Sequence, residues 1–169
     1  MKTKRFLAFG CAFLCLSVAA SGADKVALTI NNQKISAYRT ADLETAKKEA
    51  KEGGKPIAWI ASSPQVLDGR GTISSTNSRG ATLHAFFALR DKAVLIFMDA
   101  YTENHNVLKL VDDALHTPNP HYTPPTVVFI DADAKEVLAT VIYEPDFVKR
   151  ARALAEALEQ VKQKSATAK

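Results

Sequence analysis

A chain of 169 residues with 47% apolar side chains is long enough to bury one core, and 24% charged residues exclude a disordered acidic or basic tail as its main content. The formal charge of +4 is unevenly placed: Lys2, Lys4 and Arg5 stand at the extreme N-terminus, ahead of an apolar run from Phe6 to about Ala20 and the small residues Ser21, Gly22 and Ala23. Such a start reads as a secretory signal peptide over residues 1–23, cut after Ala23, with Ala20 as the alternative point. The run is shorter than the roughly 20 residues that span a bilayer, which argues against a retained anchor.

This segment carries three of the 22 basic side chains and none of the 18 acidic ones, so the exported chain has 19 against 18 and a net charge of about +1. That balance gives no case for nucleic acid or for a membrane surface as partner. Both cysteines, Cys11 and Cys15, leave with the segment. They follow Ala8-Phe9-Gly10 and Ala12-Phe13-Leu14, neither of which has the Leu-small-small pattern of a lipid-anchored cysteine. The expected protein is periplasmic or extracellular, has no thiol or disulfide, and is held together by its core alone.

The exported part reads as an α/β domain over residues 24–163 with a polar tail over 164–169. VALTI, from Val26, is a short β-branched strand. Thr40 is placed to cap a helix over about 41–52, with Leu43, Ala46 and Ala50 inward and Gly53-Gly54 as its stop. Lys55-Pro56 then leads into IAWIA, apolar on both faces and so central, with Trp59 in the core. The Ser-, Gly- and Asn-rich stretch over 65–80 predicts a long loop. A helix follows over about 81–90 with Leu83, Phe86 and Phe87 inward. AVLIFMD predicts another central strand. The next helix, over about 103–115, turns Val107, Leu108, Val111 and Leu115 to the core. Then come TVVFID, the turn Ala132-Asp133-Ala134-Lys135, EVLATVI, and a final helix with Phe147, Ala151, Leu154, Leu158 and Val161 in one stripe. Neither an internal repeat nor a linker divides the chain.

Strand, helix, central strand, helix, central strand, helix, hairpin and final helix is an order that resembles the thioredoxin-like superfamily. The most specific match is Pro125-Thr126, where that family carries a cis-proline just before its terminal hairpin; Lys55-Pro56 before a central strand adds to it. The resemblance implies a three-layer fold, a central mixed sheet flanked by helices. It also explains why an apolar strand begins at two prolines: at a strand's first residue the missing N–H is cheap. Ala134 stands where the family usually has glycine, and a positive φ there would cost alanine about 1 kcal/mol.

Redox-active members continue the central strand into Cys-x-x-Cys. Here Ser62-Ser63-Pro64-Gln65 resembles that motif with its proline kept and both cysteines replaced; residues 66–69 are the other possible register. A serine cannot take part in disulfide exchange. What the resemblance leaves is the groove beside the cis-proline, where the family holds extended polypeptide. Strand addition needs backbone groups and shallow pockets and no thiol. The expected site is therefore Ser62, Ser63, Pro64, Gln65, Thr123, Pro124 and Pro125, for an extended peptide or a partner protein, with no cofactor and no catalytic residue. A vestigial groove is the bland alternative.

His105, His116 and His121 carry the other reading, a metal-dependent or non-thiol enzyme, but no His pair at i, i+4 and no carboxylate cluster accompanies them. A serine hydrolase would use Ser62, Ser63, Ser74 or Ser75 with a histidine and Asp99, yet no Gly-x-Ser-x-Gly turn is present.

Overall fold

The computed structural model describes residues 25–30, 33–62, 76–100, 107–117 and 123–167. In chain order the elements are β1 (Val26–Ile30), β2 (Gln33–Arg39), a 3-10 turn (Thr40–Asp42), α1 (Leu43–Gly53), β3 (Ile57–Ser62), α2 (Thr76–Leu89), β4 (Val94–Asp99), α3 (Lys109–His116), β5 (Thr126–Ile130), β6 (Val137–Val141) and α4 (Phe147–Thr167). The described strands form one sheet in the order β1-β2-β4-β3-β5-β6. β2, β4 and β3 run parallel, while β5 is antiparallel to β3 and β6 antiparallel to β5. From β2 onward this is the thioredoxin-like fold, an α/β arrangement with a mixed sheet between two layers of helices.

The residues of β3 and β4 are buried throughout, so alternate side chains feed two separate cores. On one face Ala58, Ile60, Leu95, Phe97, Val127 and Phe129 pack against Ala85, Phe86 and Leu89 of α2 and Leu154, Ala157, Leu158 and Val161 of α4. On the other, Ile57, Trp59, Ala61, Ile96, Met98, Val128 and Ile130 pack against Ala46 and Ala50 of α1 and Val111 and Leu115 of α3. Trp59 is 1% exposed, and its Nε1 has no hydrogen-bond partner among the described residues.

Several expectations change: α3, expected over about 103–115, begins at Lys109, with Val107 and Leu108 ahead of it. VALTI is not the first strand of the fold but an added one, paired antiparallel with β2 from Val26 opposite Ala37 to Ile30 opposite Gln33. QKISAYR holds the first place; its mixed polar sequence lacks the apolar run that marks β3 and β4, and Asn31-Asn32 was the hairpin signal. Thr40 lies buried in the 3-10 turn, and α1 starts at Leu43 with no side-chain cap. α2 begins at Thr76, inside the stretch expected as loop, and its inward stripe is Thr82, Ala85, Phe86 and Leu89, with Phe87 partly buried and Leu83 half-buried. Thr82 at the centre of that stripe hid it from an apolar count. Finally, α4 continues through Thr167 in place of a polar tail, and Lys164 Nζ donates to the Val137 carbonyl at 3.0 Å. Phe147, counted inward, is 61% exposed.

Two left-handed residues make opposite demands. Gly54 ends α1 at φ 59°, where its N–H reaches the Ala50 and Lys51 carbonyls. Ala134 adopts φ 59° in the β5–β6 turn, as anticipated for this position. The turn is organised by Asp131, whose carboxylate accepts from the N–H groups of Asp133, Lys135 and Glu136 at 3.1, 2.6 and 2.7 Å. Ala134→Gly is expected to raise stability by roughly 0.5–1 kcal/mol, and Gly54→Ala to lower it by about 1 kcal/mol. Urea midpoints of the two variants should move in opposite directions.

Candidate functional site

The ends of β3, β4 and β5 meet at one edge of the sheet. Ser62, the last residue of β3, lies opposite Asp99, the last of β4, and the Ala100 N–H donates to the Ser62 carbonyl at 2.9 Å. On the other side Ala61 pairs with Thr126, and that register extended by one residue sets Pro125 beside Ser62. The Pro124–Pro125 peptide is cis. Because β5 starts at Thr126, both prolines stand just outside the ladder, where no strand N–H is required of them.

Exposure then grades along the chain: Thr123 is exposed, Pro124 half-buried, and Pro125 and Thr126 buried, with the Thr126 hydroxyl donating to the Thr123 carbonyl at 3.3 Å. Ser62 is 1% exposed. Its Oγ lies 2.7 Å from Thr82 Oγ1 on α2, on the face shared with Ala58 and Ile60. A buried hydroxyl needs a partner, and this pair satisfies that need between sheet and helix. Ser62 is thus a structural fastening under the edge, not part of an open groove wall. Thr123, Pro124 and Pro125 come to the same edge. Ser63, Pro64 and Gln65 lie outside the described residues, as does the rest of the expected loop up to Ser75.

Among the described residues no hydrolytic constellation assembles at Ser62, whose hydroxyl meets the Thr82 hydroxyl. His116 lies exposed at the end of α3, its Nδ1 2.9 Å from the Asp112 carbonyl and 3.3 Å from the Asp112 carboxylate. His105 and His121 fall outside the described residues. Among the described residues no three His, Cys, Asp or Glu side chains converge as metal ligands. Asp99 is 8% exposed beside Ser62.

Two polar assemblies were not legible beforehand. Tyr38 donates to Glu49 Oε2 at 2.6 Å, and Lys25 meets the same oxygen at 2.6 Å. Burial, then the Glu49 carboxylate, pushes the Tyr38 phenol well above its ordinary value. Burial alone would raise Glu49, but the hydrogen bonds from Lys25 and Tyr38 outweigh it and hold that carboxyl below its ordinary range. The second assembly joins His84 of α2 to Arg150 of α4, whose Nε donates to His84 Nδ1 at 3.2 Å. Burial first, then the Arg150 charge, lowers the His84 pKa. One signal existed: Arg150 falls on the apolar stripe of α4, between Phe147 and Leu154.

No family model matches the chain, and no curated protein does. Among solved structures the chain is similar to one titled "DsbH Oxidoreductase", at 18% identity over 69% of this chain and 81% of that one, with a TM-score of 0.40. It is also similar to a disulphide isomerase from Xylella fastidiosa Temecula1, at 17% identity over 75% of this chain and 88% of that one, with a TM-score of 0.39.

If Ser62 is a fastening, a thiol placed there stays hidden. Ser62→Cys is expected to react with an aromatic disulfide reagent at least about tenfold more slowly in the native protein than in urea, because a buried neutral thiol is a poor nucleophile. Ser62→Ala should lower stability by about 1 kcal/mol, measured by urea unfolding.

Proposed function

We propose that this chain, thioredoxin-like in fold and without a cysteine after Cys15, is an exported, redox-inactive module that binds extended polypeptide at the edge formed by Thr123, Pro124 and Pro125. The observation that carries the reading is the grading of that edge, from exposed Thr123 to buried Pro125 set beside Ser62. Ordered backbone at a sheet end offers a ligand strand hydrogen bonds without any reactive side chain. Thiol chemistry is absent from residues 24–169 for want of a thiol.

The two prolines refine the mode of binding. Neither has an N–H, so the pair contributes carbonyls and pyrrolidine surface only. A ligand held there must donate its own N–H groups and rest apolar side chains on the rings. Expected recognition is of unfolded or extended chain, weakly selective in sequence. In support of export stand the basic and apolar residues 1–23, and no described helix is long and apolar enough to cross a membrane.

The test is photo-crosslinking of an alkylated, permanently unfolded protein to a photoreactive residue placed at Thr123, with the same residue at exposed Lys162 on α4 as control. The reading expects adducts from position 123 at least about tenfold above those from 162, competed by excess unlabelled chain. Equal labelling at both positions would sink it.

A further inference from the structure

Arg150 is 9% exposed in the first turn of α4, and a guanidinium keeps its charge at any working pH. Burial of that charge calls for acceptors close by. Nη1 donates to the carbonyls of Glu144 and Pro145 at 2.7 and 3.2 Å, and Nε donates to His84 Nδ1 at 3.2 Å. None of these acceptors is a carboxylate. The bond from Arg150 defines the imidazole: Nδ1 must offer its lone pair, so the ring is neutral with its proton on Nε2. The Phe147 ring lies 4.7 Å from the His84 ring and 5.7 Å from Arg150 Cζ, with 61% of its own surface in solvent.

Among the described residues, the carboxylates beside this pair have partners of their own. Glu144 Oε1 accepts from the Asp146 N–H at 2.9 Å, and Asp146 Oδ1 accepts from the Lys149 N–H at 2.8 Å, so both carboxylates of the β6–α4 connection cap its own backbone. Lys149 beside them is exposed and cationic. On α2, Arg90 sits 5.7 Å over the Phe87 ring. β6, from Val137 to Val141, brings no charged side chain. Among the described residues it is Arg150 that acts on His84 by charge, and its sign opposes an imidazolium.

We propose that His84 and Arg150 form an acid-released latch that fastens the β6–α4 connection and the start of α4 to α2. A proton on Nδ1 turns the acceptor into a donor, removes the hydrogen bond and sets two cations 3.2 Å apart. Arg150 then leaves its seat, and with it goes its hold on the Glu144 and Pro145 carbonyls. The Phe147 ring loses the guanidinium 5.7 Å from it in the same event. The direction of pH dependence follows from the lowered pKa: the latch contributes fully above the ordinary value of 6.5 and is lost as pH falls through the lower native one. This device lies at α2, α4 and β6, and it stands whether or not the edge at Thr123 binds polypeptide.

Imidazole 15N spectra of the purified protein read the latch directly. At neutral pH, His84 is expected as the Nε2–H tautomer, titrating below 6.5. In Arg150→Gln its midpoint should move up. A second variant guards against misfolding of the first: His84→Asn puts a carbonyl oxygen where Nδ1 stood, and it does not titrate. Between about pH 7.5 and about pH 5, the wild-type urea midpoint should fall further than that of His84→Asn. Amide exchange at Arg150, corrected for pH, should quicken only in the wild type. An Nδ1–H tautomer, a native midpoint at or above the ordinary value, or equal acid sensitivity in wild type and His84→Asn would overturn the latch.

Discussion

The pairing of β5 with β3, from Ile57 opposite Ile130 to Ala61 opposite Thr126, fixes where everything else can stand. β3 is buried on both faces, so its register decides which side chains enter which core, and a slip of one residue would exchange the two sets. In the observed register Trp59 faces α1 and α3, Ile60 faces α2 and α4, and Ser62 leaves the sheet on the α2 side. The prolines define the limit of that pairing. A ladder continued past Thr126 would require N–H groups that Pro124 and Pro125 lack.

The same limit shapes the chemistry open to the edge. At the end of β3 this chain has a serine tied to a threonine inside the protein, and no thiol follows it in the sequence. The hydroxyl serves packing: it joins the end of β3 to α2 with one hydrogen bond, in a place where an unpartnered polar atom would cost about 1–3 kcal/mol. Function, on this account, moves from side-chain reactivity to backbone and ring surface at Thr123, Pro124 and Pro125. The acid latch is a separate matter of charge. It places one buried cation on neutral acceptors, one of which is an imidazole whose pKa burial and the Arg150 charge lower.

How much of this was legible in the residues differs by element. The central strands were plain because burial on both faces leaves an unbroken apolar run, as in IAWIA and AVLIFM. The prolines before TVVFI marked the strand start and the cis bond. β2 escaped because an amphipathic strand near the sheet's edge keeps polar residues, and the apolar VALTI beside it took its place in the reading. α2 was read five residues short since its first turns, Thr76 to Gly80, are rich in residues of low helix propensity. At the candidate site, Ser62 is buried and bonded to Thr82. Its partner Thr82 lies 20 residues away, and no local pattern announces such a contact. His84 and Arg150, 66 residues apart, meet only through the packing of α2 on α4.

The central claim is that the edge beside Pro125 receives extended polypeptide through backbone contact. The direct measurement is a 15N amide spectrum of the protein titrated with an alkylated, permanently unfolded chain. The account predicts saturable shifts concentrated at Thr123, Thr126, Ser62 and Ala100, with the α4 amides from Leu154 to Val161 unmoved. Shifts that gather instead around Ile142, Phe147 and Val148, or none at saturating ligand, would contradict it.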